Sequence, residues 1–304
     1  MSEIPVVDIG TELPWSDDSL VARLNSAFTT VGFVFVKNHG IDRELIDQTF
    51  RACSEFFTLT LDTKMKYSRN AATNCGYVCM EGETLNPSKP SDLKECYNWC
   101  TTVIAHIPDP EVQNLNEMLS KVHKSATSVS LKLLEFMGHA LGLKDPRVLV
   151  DSHRDIGKGS AHNMTTLRAL YYPSLPSTLP IKPGQIRCGE HVDYGSITLL
   201  FQDPGGGLQV KCVDGGYIDV PYRPDAILVN IGALMERWTG DLYKATPHRV
   251  LIPEEDIKRN SVRQSIAFFV HPDNSAVIQC LDGSSKYPPI NALEDTLSRL
   301  KRTY

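Results

Sequence analysis

The second half of the chain constrains the fold most, because seven short β-type segments follow one another there with no long helix between them. They are Leu167–Tyr172, His191–Gln202, Gly207–Cys212, Gly216–Val220, Ala226–Ile231, His248–Ile252 and Gln264–Val270. Pro-Gly, Gly-Gly and Asp-Gly pairs punctuate them, supplying the turns that short strands need. Many strands at such close spacing argue for a sandwich or barrel-like sheet. The first half is mainly helical in pattern. A helix starting near Ser16 or Asp17 carries Leu20, Leu24, Ala27, Phe28 and Val31 at helical spacing, and Gly32 ends it. A short apolar strand, Gly32–Val36, follows, and a second helix from Asp42 has Leu45, Ile46, Phe50, Cys53 and Phe57 on its buried face. Residues 68–109 hold no sustained period and are expected as loop and short strand. A long helical pattern runs from Glu111 to Leu143, and a last helix, Asn291–Leu300, carries Leu293, Leu297 and Leu300 on one face.

No internal repeat or linker divides the 304 residues. We therefore expect one α+β domain with a β-dominated core: a mainly helical region over 1–165, the β core over 166–275, and a tail with a helix over 276–304. The net charge of −5 and the lack of any basic run argue against a nucleic-acid partner. No apolar stretch approaches the roughly 20 residues that span a bilayer, and the N-terminus lacks the features of a signal peptide, so no membrane association and a cytoplasmic location are expected. In that reducing setting the eight cysteines are expected as free thiols. The pairs Cys75/Cys79 and Cys96/Cys100 have C-x3-C spacing, but structural zinc sites favour tighter knuckles and add histidines.

A mononuclear iron centre that activates oxygen needs two imidazoles and one carboxylate on one face of the metal. Residues i and i+2 of a strand point to the same side, so an H-x-D on a strand can supply two adjacent ligands. With 9 His and 36 acidic residues, about one such pair arises by chance, and the chain has three: His153-x-Asp155, His191-x-Asp193 and His271-x-Asp273. The first lies in a polar stretch without strand pattern, and the third has a proline at its centre. His191-x-Asp193 alone leads into β-type residues and is followed by another strand-borne histidine, His248. Taken singly, each of these is more often an ordinary polar strand residue. Further on, Arg263 and Ser265 open an apolar strand and share one of its faces. A guanidinium grips a carboxylate through two parallel hydrogen bonds, and a neighbouring hydroxyl adds a third. That pair suits the distal end of a small diacid, although an arginine before a strand is more often a surface residue.

The order His191-x-Asp193, His248, Arg263-x-Ser265 resembles the isopenicillin N synthase-like family of iron(II)/2-oxoglutarate-dependent oxygenases. So do Ile4–Asp8, Gly32–Ile41, Leu167–Pro173, the run from Asn230-Ile231-Gly232 to Trp238-Thr239, and His248-Arg249-Val250. The resemblance covers nearly the whole chain. It implies a double-stranded β-helix, or jelly roll, with Fe(II) held by His191, Asp193 and His248. It also implies that 2-oxoglutarate has its distal carboxylate on Arg263 and Ser265, and that Tyr172 is a cosubstrate contact. The implied reaction consumes O2, releases succinate and CO2, and oxidises an unactivated C–H bond of a small organic molecule by hydroxylation, desaturation or ring formation. Two alternatives stay open: an iron(II) oxidase of the same fold that uses no 2-oxoglutarate, and a non-catalytic metal-binding jelly-roll module. The chain departs from the family in a longer stretch between His248 and Arg263, expected as a hairpin loop over Pro253–Asn260, and in Ala233, which stands where relatives carry an acidic residue. Glu95, Tyr97, Asn98 and Trp99 are candidates to face the pocket. His39 is expected to be structural, and Arg69 and Arg187 to be solvated charges.

Overall fold

The computed structural model describes residues 3–10, 18–102, 107–175, 180–253 and 260–304. Eight strands form a major sheet in the order β1 (Val6–Asp8), β2 (Phe33–Lys37), β10 (Ala226–Ile231), β7 (Ile197–Gln202), β12 (Arg263–Val270), β5 (Thr166–Tyr172), β4 (Glu95–Trp99), β3 (Gly76–Val78). Four more form a minor sheet in the order β6 (Cys188–His191), β11 (His248–Val250), β8 (Leu208–Lys211), β9 (Tyr217–Asp219). Only β1 and β2 pair in parallel; the other pairings within these two sheets are antiparallel. A two-stranded ribbon of β13 (Val277–Ile278) and β14 (Ile290–Asn291) precedes the last helix. The architecture is the jelly roll that the family resemblance implies, and it agrees with the sandwich or barrel-like sheet expected from the short strands.

The period of two along each strand sorts side chains between two cores. On β2, Phe33 and Phe35 face the minor sheet, whereas Val34 and Val36 face the helices. On β12, Ala267 joins the inter-sheet core, and Ile266, Phe268 and Val270 pack on the helical side. The major sheet is therefore buried on both faces, which explains why its strands are near-continuous apolar runs. Each fully buried Phe, Leu or Val contributes about 1.5–3 kcal/mol.

The helical layer comprises α1 (Asp18–Thr30), α2 (Arg43–Thr58), α3 (Leu61–Met65), α4 (Leu115–Ala140) and α5 (Val148–Asp151). Helix α2 starts where Asp42 caps the Glu44 N–H, an arrangement that satisfies one orphan donor. Its Phe57 stacks on Tyr171 of β5 with ring centres 5.0 Å apart. Helix α4 is shorter than its sequence pattern, and Gly142 follows its end at φ +62°. The short α6 (Ala233–Trp238) follows β10, and α7 (Ala292–Thr303) ends the chain with Asn291 as its cap. The leucine face expected on this last helix is only half-buried; Ala292, Thr296 and Thr303 are its buried residues. The expected start of α1 at Ser16 or Asp17, and most of the expected loop Pro253–Asn260, lie outside the described residues.

Two expectations need correction. The segment His191–Gln202 is not one strand: β6 ends at His191 and β7 begins at Ile197, with a turn between. The cysteines are not all free, because Cys75 and Cys100 form a disulfide, with Cα atoms 5.8 Å apart. The C-x3-C spacing concealed this, since the bridge takes one cysteine from each pair. Antiparallel pairing of β3 with β4, with Gly76 opposite Asn98, brings the two flanking residues together. Cys79 and Cys96 remain free.

Candidate active site

His191 ends β6, and His248 begins β11 directly opposite it in the antiparallel register. Asp193 lies two residues past the strand end, in the turn that leads to β7. Its position thus comes from the turn rather than from strand alternation. That turn is pinned by main-chain bonds: Ala233 N–H donates to Asp193 O at 2.8 Å, Gly232 N–H to Ser196 O at 2.9 Å, and Ser196 N–H to Val270 O at 2.8 Å. Ala233 therefore acts through its backbone, whatever its side chain. The approach is so close that a Cβ on Gly195 would stand 2.2 Å from the Val270 carbonyl oxygen.

The three side chains converge. Nε2 of His191 and Nε2 of His248 each lie 3.7 Å from Asp193 Oδ1. One donor atom from each residue falls within 4.8 Å of the others, and no other such trio of potential ligands occurs among the described residues. Nδ1 of His191 lies 2.7 Å from Gly189 O, and Nδ1 of His248 lies 3.2 Å from Thr246 O. A carbonyl only accepts, so both Nδ1 atoms carry the proton and both Nε2 lone pairs are left for a metal. Asp193 Oδ2 accepts from Thr198 Oγ1 at 2.6 Å and from Asn230 Nδ2 at 2.7 Å, which leaves Oδ1 for the same ion. Two neutral imidazoles and one oriented carboxylate fit a facial iron site. Burial pushes the His191 imidazole down to about 4, and His248 beside it acts in the same direction. Burial raises the Asp193 carboxyl, but the two imidazoles, Asn230 and Thr198 outweigh it and hold the group below its ordinary value. The two shifts keep His191 neutral and Asp193 ionised at neutral pH.

The other H-x-D pairs do not converge in this way. His153 is fully buried, with its ring nitrogens 2.6 Å from Leu149 O and 2.8 Å from Ser196 Oγ. Asp273 accepts from Asn163 and from the Asp155 N–H. His39 accepts from the Ile41 N–H in a local turn and borders a separate cavity beside Arg43.

Two cavities meet at the trio and share Leu170, Cys188, His191, Asp193 and Phe269 in their walls. One runs between the sheets to Tyr172, Arg263 and Ser265. Strand pairing sets Arg263 opposite Tyr172, and Ser265 opposite Gln202. The Arg263 guanidinium is 1% exposed and lies 4.7 Å from the Tyr172 ring centre. Among the described residues it makes only long contacts, 3.4 Å to Ser265 Oγ and 3.3 Å to Gln202 Oε1, and its Nε has no partner there. The nearby Asp203 accepts instead from the Gly205 and Gln264 N–H groups. A buried guanidinium is costly without a carboxylate partner, and no ion pair to Arg263 occurs among the described residues. Burial pushes the Tyr172 phenol up to about 12.

The second cavity opens past the trio to Asn74, Glu83, Lys94, Arg168, Tyr194 and His271, and holds about 610 Å³ of space including its mouth. Sequence reasoning missed this wall. Of the residues expected to face the pocket, Glu95 pairs with Lys64 at 2.5 Å, and Tyr97 and Trp99 pack in the helix-side core. Asn98 instead accepts from Arg168 Nε at 2.6 Å. The solvated arginines are also corrected. Arg187 is fully buried and donates to Ser261 O at 3.0 Å, and Arg69 lies 3.5 Å from the Tyr304 ring centre.

Comparisons with known proteins agree with this geometry. Residues 4–121 match the family described as the N-terminal region of the non-haem dioxygenase in morphine synthesis, and residues 164–272 match the 2OG-Fe(II) oxygenase superfamily. The chain is 33% identical over 286 residues to a UPF0676 protein of Schizosaccharomyces pombe, covering 89% of this chain and 82% of that one. It is 30% identical to the 2-oxoglutarate-Fe(II) type oxidoreductase ppzD of Metarhizium rileyi, covering 96% and 88%. Among solved structures, a full-length Neurospora crassa protein in complex with alpha-KG superposes with a TM-score of 0.86 at 29% identity, covering 99% of this chain and 96% of that one. The same protein has been crystallised with alpha-KG and thymine, TM-score 0.84.

Proposed function

The chain belongs to the 2OG-Fe(II) oxygenase superfamily, and from that premise we propose that His191, Asp193 and His248 hold the iron while Arg263, Ser265 and Tyr172 receive 2-oxoglutarate. The protein is a 2-oxoglutarate-dependent dioxygenase that uses Fe(II), 2-oxoglutarate and O2 to oxidise a small molecule. The observation that carries the residue assignment is the coexistence, in one continuous cavity, of a convergent His-Asp-His trio and a buried guanidinium lacking a carboxylate. The bound metal supplies oxygen activation coupled to cosubstrate decarboxylation. The protein's own residues position the reactants. Arg263 and Ser265 fix the diacid by its far end, Tyr172 closes the floor beneath the guanidinium, and the apolar wall of Leu170, Leu208, Val250 and Phe269 excludes water.

An oxidase of the same fold could also use an Arg-x-Ser pair, so the cosubstrate-dependent reading is favoured instead by the alpha-KG bound to the Neurospora crassa protein and by relatives named for 2-oxoglutarate. We take the whole chain as one oxygenase domain, with the N-terminal region supplying strands β1 to β4 of the major sheet. A substrate the size of a pyrimidine, such as the thymine bound by the Neurospora crassa protein, suits the second cavity. The cytosol is the location we propose. No helix among the described residues is long and apolar enough to cross a membrane, the Cys75–Cys100 bridge pulls against a reducing compartment, and fractionation with thiol trapping decides.

The decisive experiment is an anaerobic titration of iron(II) and 2-oxoglutarate, following the weak visible charge-transfer band of the chelated oxo acid. A band in the wild type that is lost in Asp193→Ala and weakened in Arg263→Ala is the expected result. Iron binding without the band would point to the oxidase, and no iron binding would end the catalytic proposal.

A further inference from the structure

The cavity on the far side of the trio from Arg263 has Arg168, Lys94 and Glu83 in its wall, with Asp92 paired to Lys94 behind them. Arg168, Lys94, Glu83 and Asp92 are all at most 8% exposed. Glu83 lies 3.0 Å from Arg168 Nη1 through one oxygen and 2.9 Å from Lys94 Nζ through the other. Lys94 also pairs with Asp92, whose second oxygen accepts from the Gly189 N–H at 2.8 Å on the strand that ends in His191. Two buried cations thus face two buried carboxylates, and the cluster is tied to the metal-binding strand.

Its hydrogen-bonding capacity is uneven. Three of the four carboxylate oxygens accept a hydrogen bond and Glu83 Oε2 meets Lys94 only as an ion pair, whereas several N–H groups are left over. Arg168 donates from Nε to Asn98, from Nη1 to Glu83 and from Nη2 to the Tyr304 hydroxyl. A guanidinium has five N–H groups, so among the described residues one is left without a partner on each terminal nitrogen. Asn74 accepts at Oδ1 from Arg69 and Asn98, and no hydrogen bond from its amide nitrogen occurs among the described residues. Both residues line the cavity, together with the Tyr194 and Phe269 rings. Arg168 Cζ lies 5.5 Å from the Phe269 ring centre.

From this we infer that the substrate is a neutral, flat molecule bearing carbonyl oxygens, received by Arg168 and Asn74, and that Glu83 enforces neutrality by cancelling the adjacent cations. A carbonyl takes the spare N–H groups without disturbing the ion pairs. An ionised carboxylate would meet Arg168 and Lys94 already paired with Glu83 and Asp92, and would have to displace Glu83 to reach them. The aromatic walls favour a ring over a flexible chain. The inference rests on the dioxygenase reading, since it concerns the substrate half of the same cavity.

Two probes that share a ring test it: uracil, and uracil-5-carboxylate, which adds an ionised group. Their binding to the iron- and 2-oxoglutarate-loaded protein is measured without oxygen by calorimetry, alongside the charge-transfer band. Wild type is expected to prefer uracil at least tenfold. Glu83→Gln, which leaves a surplus positive charge, should shift that ratio at least tenfold toward the carboxylate. Asn74→Asp, nearly isosteric and tolerant of the positive φ at this position, exchanges the free donor for an acceptor and should weaken uracil at least fivefold. It also keeps the test alive if Glu83→Gln fails to fold. A wild-type preference for the carboxylate, no uracil binding despite an intact band, or a folded Glu83→Gln with an unchanged ratio would overturn the inference and leave the dioxygenase reading standing. Absence of the band in wild type would overturn both.

Discussion

Asn230 Nδ2 and Asp193 Oδ2 are 2.7 Å apart, joining the end of β10 to the turn that follows β6. With Thr198 on the same oxygen, Asn230 fixes the plane of the carboxylate and reserves Oδ1 for the ion. Asn230→Ala and Thr198→Val should each lower iron affinity by about 10–100-fold, the usual cost of losing an outer partner of a ligand. Dialysis against graded iron(II) measures this, and unchanged affinity in both variants would mean that the turn alone orients Asp193.

Arg263→Met should raise the 2-oxoglutarate KM far more than it lowers kcat. Charge-assisted hydrogen bonds contribute about 1.5–3 kcal/mol each, so loss of the grip corresponds to a factor of ten to more than a hundred. Ser265→Ala should raise KM by a smaller factor. Steady-state kinetics at saturating substrate separate the two parameters, and a KM near that of wild type would remove Arg263 from the cosubstrate site.

Acid should destabilise the fold before carboxylates protonate. Burial pushes His123 and His153 down to about 4, whereas in the unfolded chain they titrate near 6.5. Below pH 6.5 the unfolded state therefore binds protons that the folded state refuses. Stability is fully present above that pH and falls as the pH drops toward 4, by on the order of 2–3 kcal/mol for each histidine. His123 sits between Trp99 and Phe268, with ring centres 5.3 and 5.0 Å away, so His123→Phe should flatten part of the slope. Urea unfolding at pH 7.5, 6 and 5 reads it.

Reducing the Cys75–Cys100 bridge should cost about 3 kcal/mol, given a sequence separation of 25 residues. Because Cys75 adjoins Asn74 in the cavity wall, reduction should also loosen substrate binding while leaving the iron–2-oxoglutarate band intact. Denaturation and calorimetry with and without reductant check both effects. The Cys75→Ser, Cys100→Ser double variant, insensitive to reductant, is the control.

Sequence alone determined what depends on short-range periodicity. Alternation along β12 puts Arg263 and Ser265 on one face and Ile266 and Phe268 on the other, and a chain with these apolar residues and turns has few other ways to bury them. A sandwich or barrel-like sheet was legible for that reason, whereas the jelly roll and the ligands His191, Asp193 and His248 followed from the order of motifs shared with a known family, and Asp193 reaches its place through a turn rather than a strand. Only the tertiary structure decided the second wall of the cavity and the disulfide. Arg168 meets Glu83 across 85 residues and Tyr304 across 136. Cys75 meets Cys100 because β3 pairs with β4 at one register and no other. A local pattern tells a side chain which way to point. Its partner there is set by strand order and register, which no short window of sequence contains, and so Arg187 looked like a surface charge until the sheets closed over it.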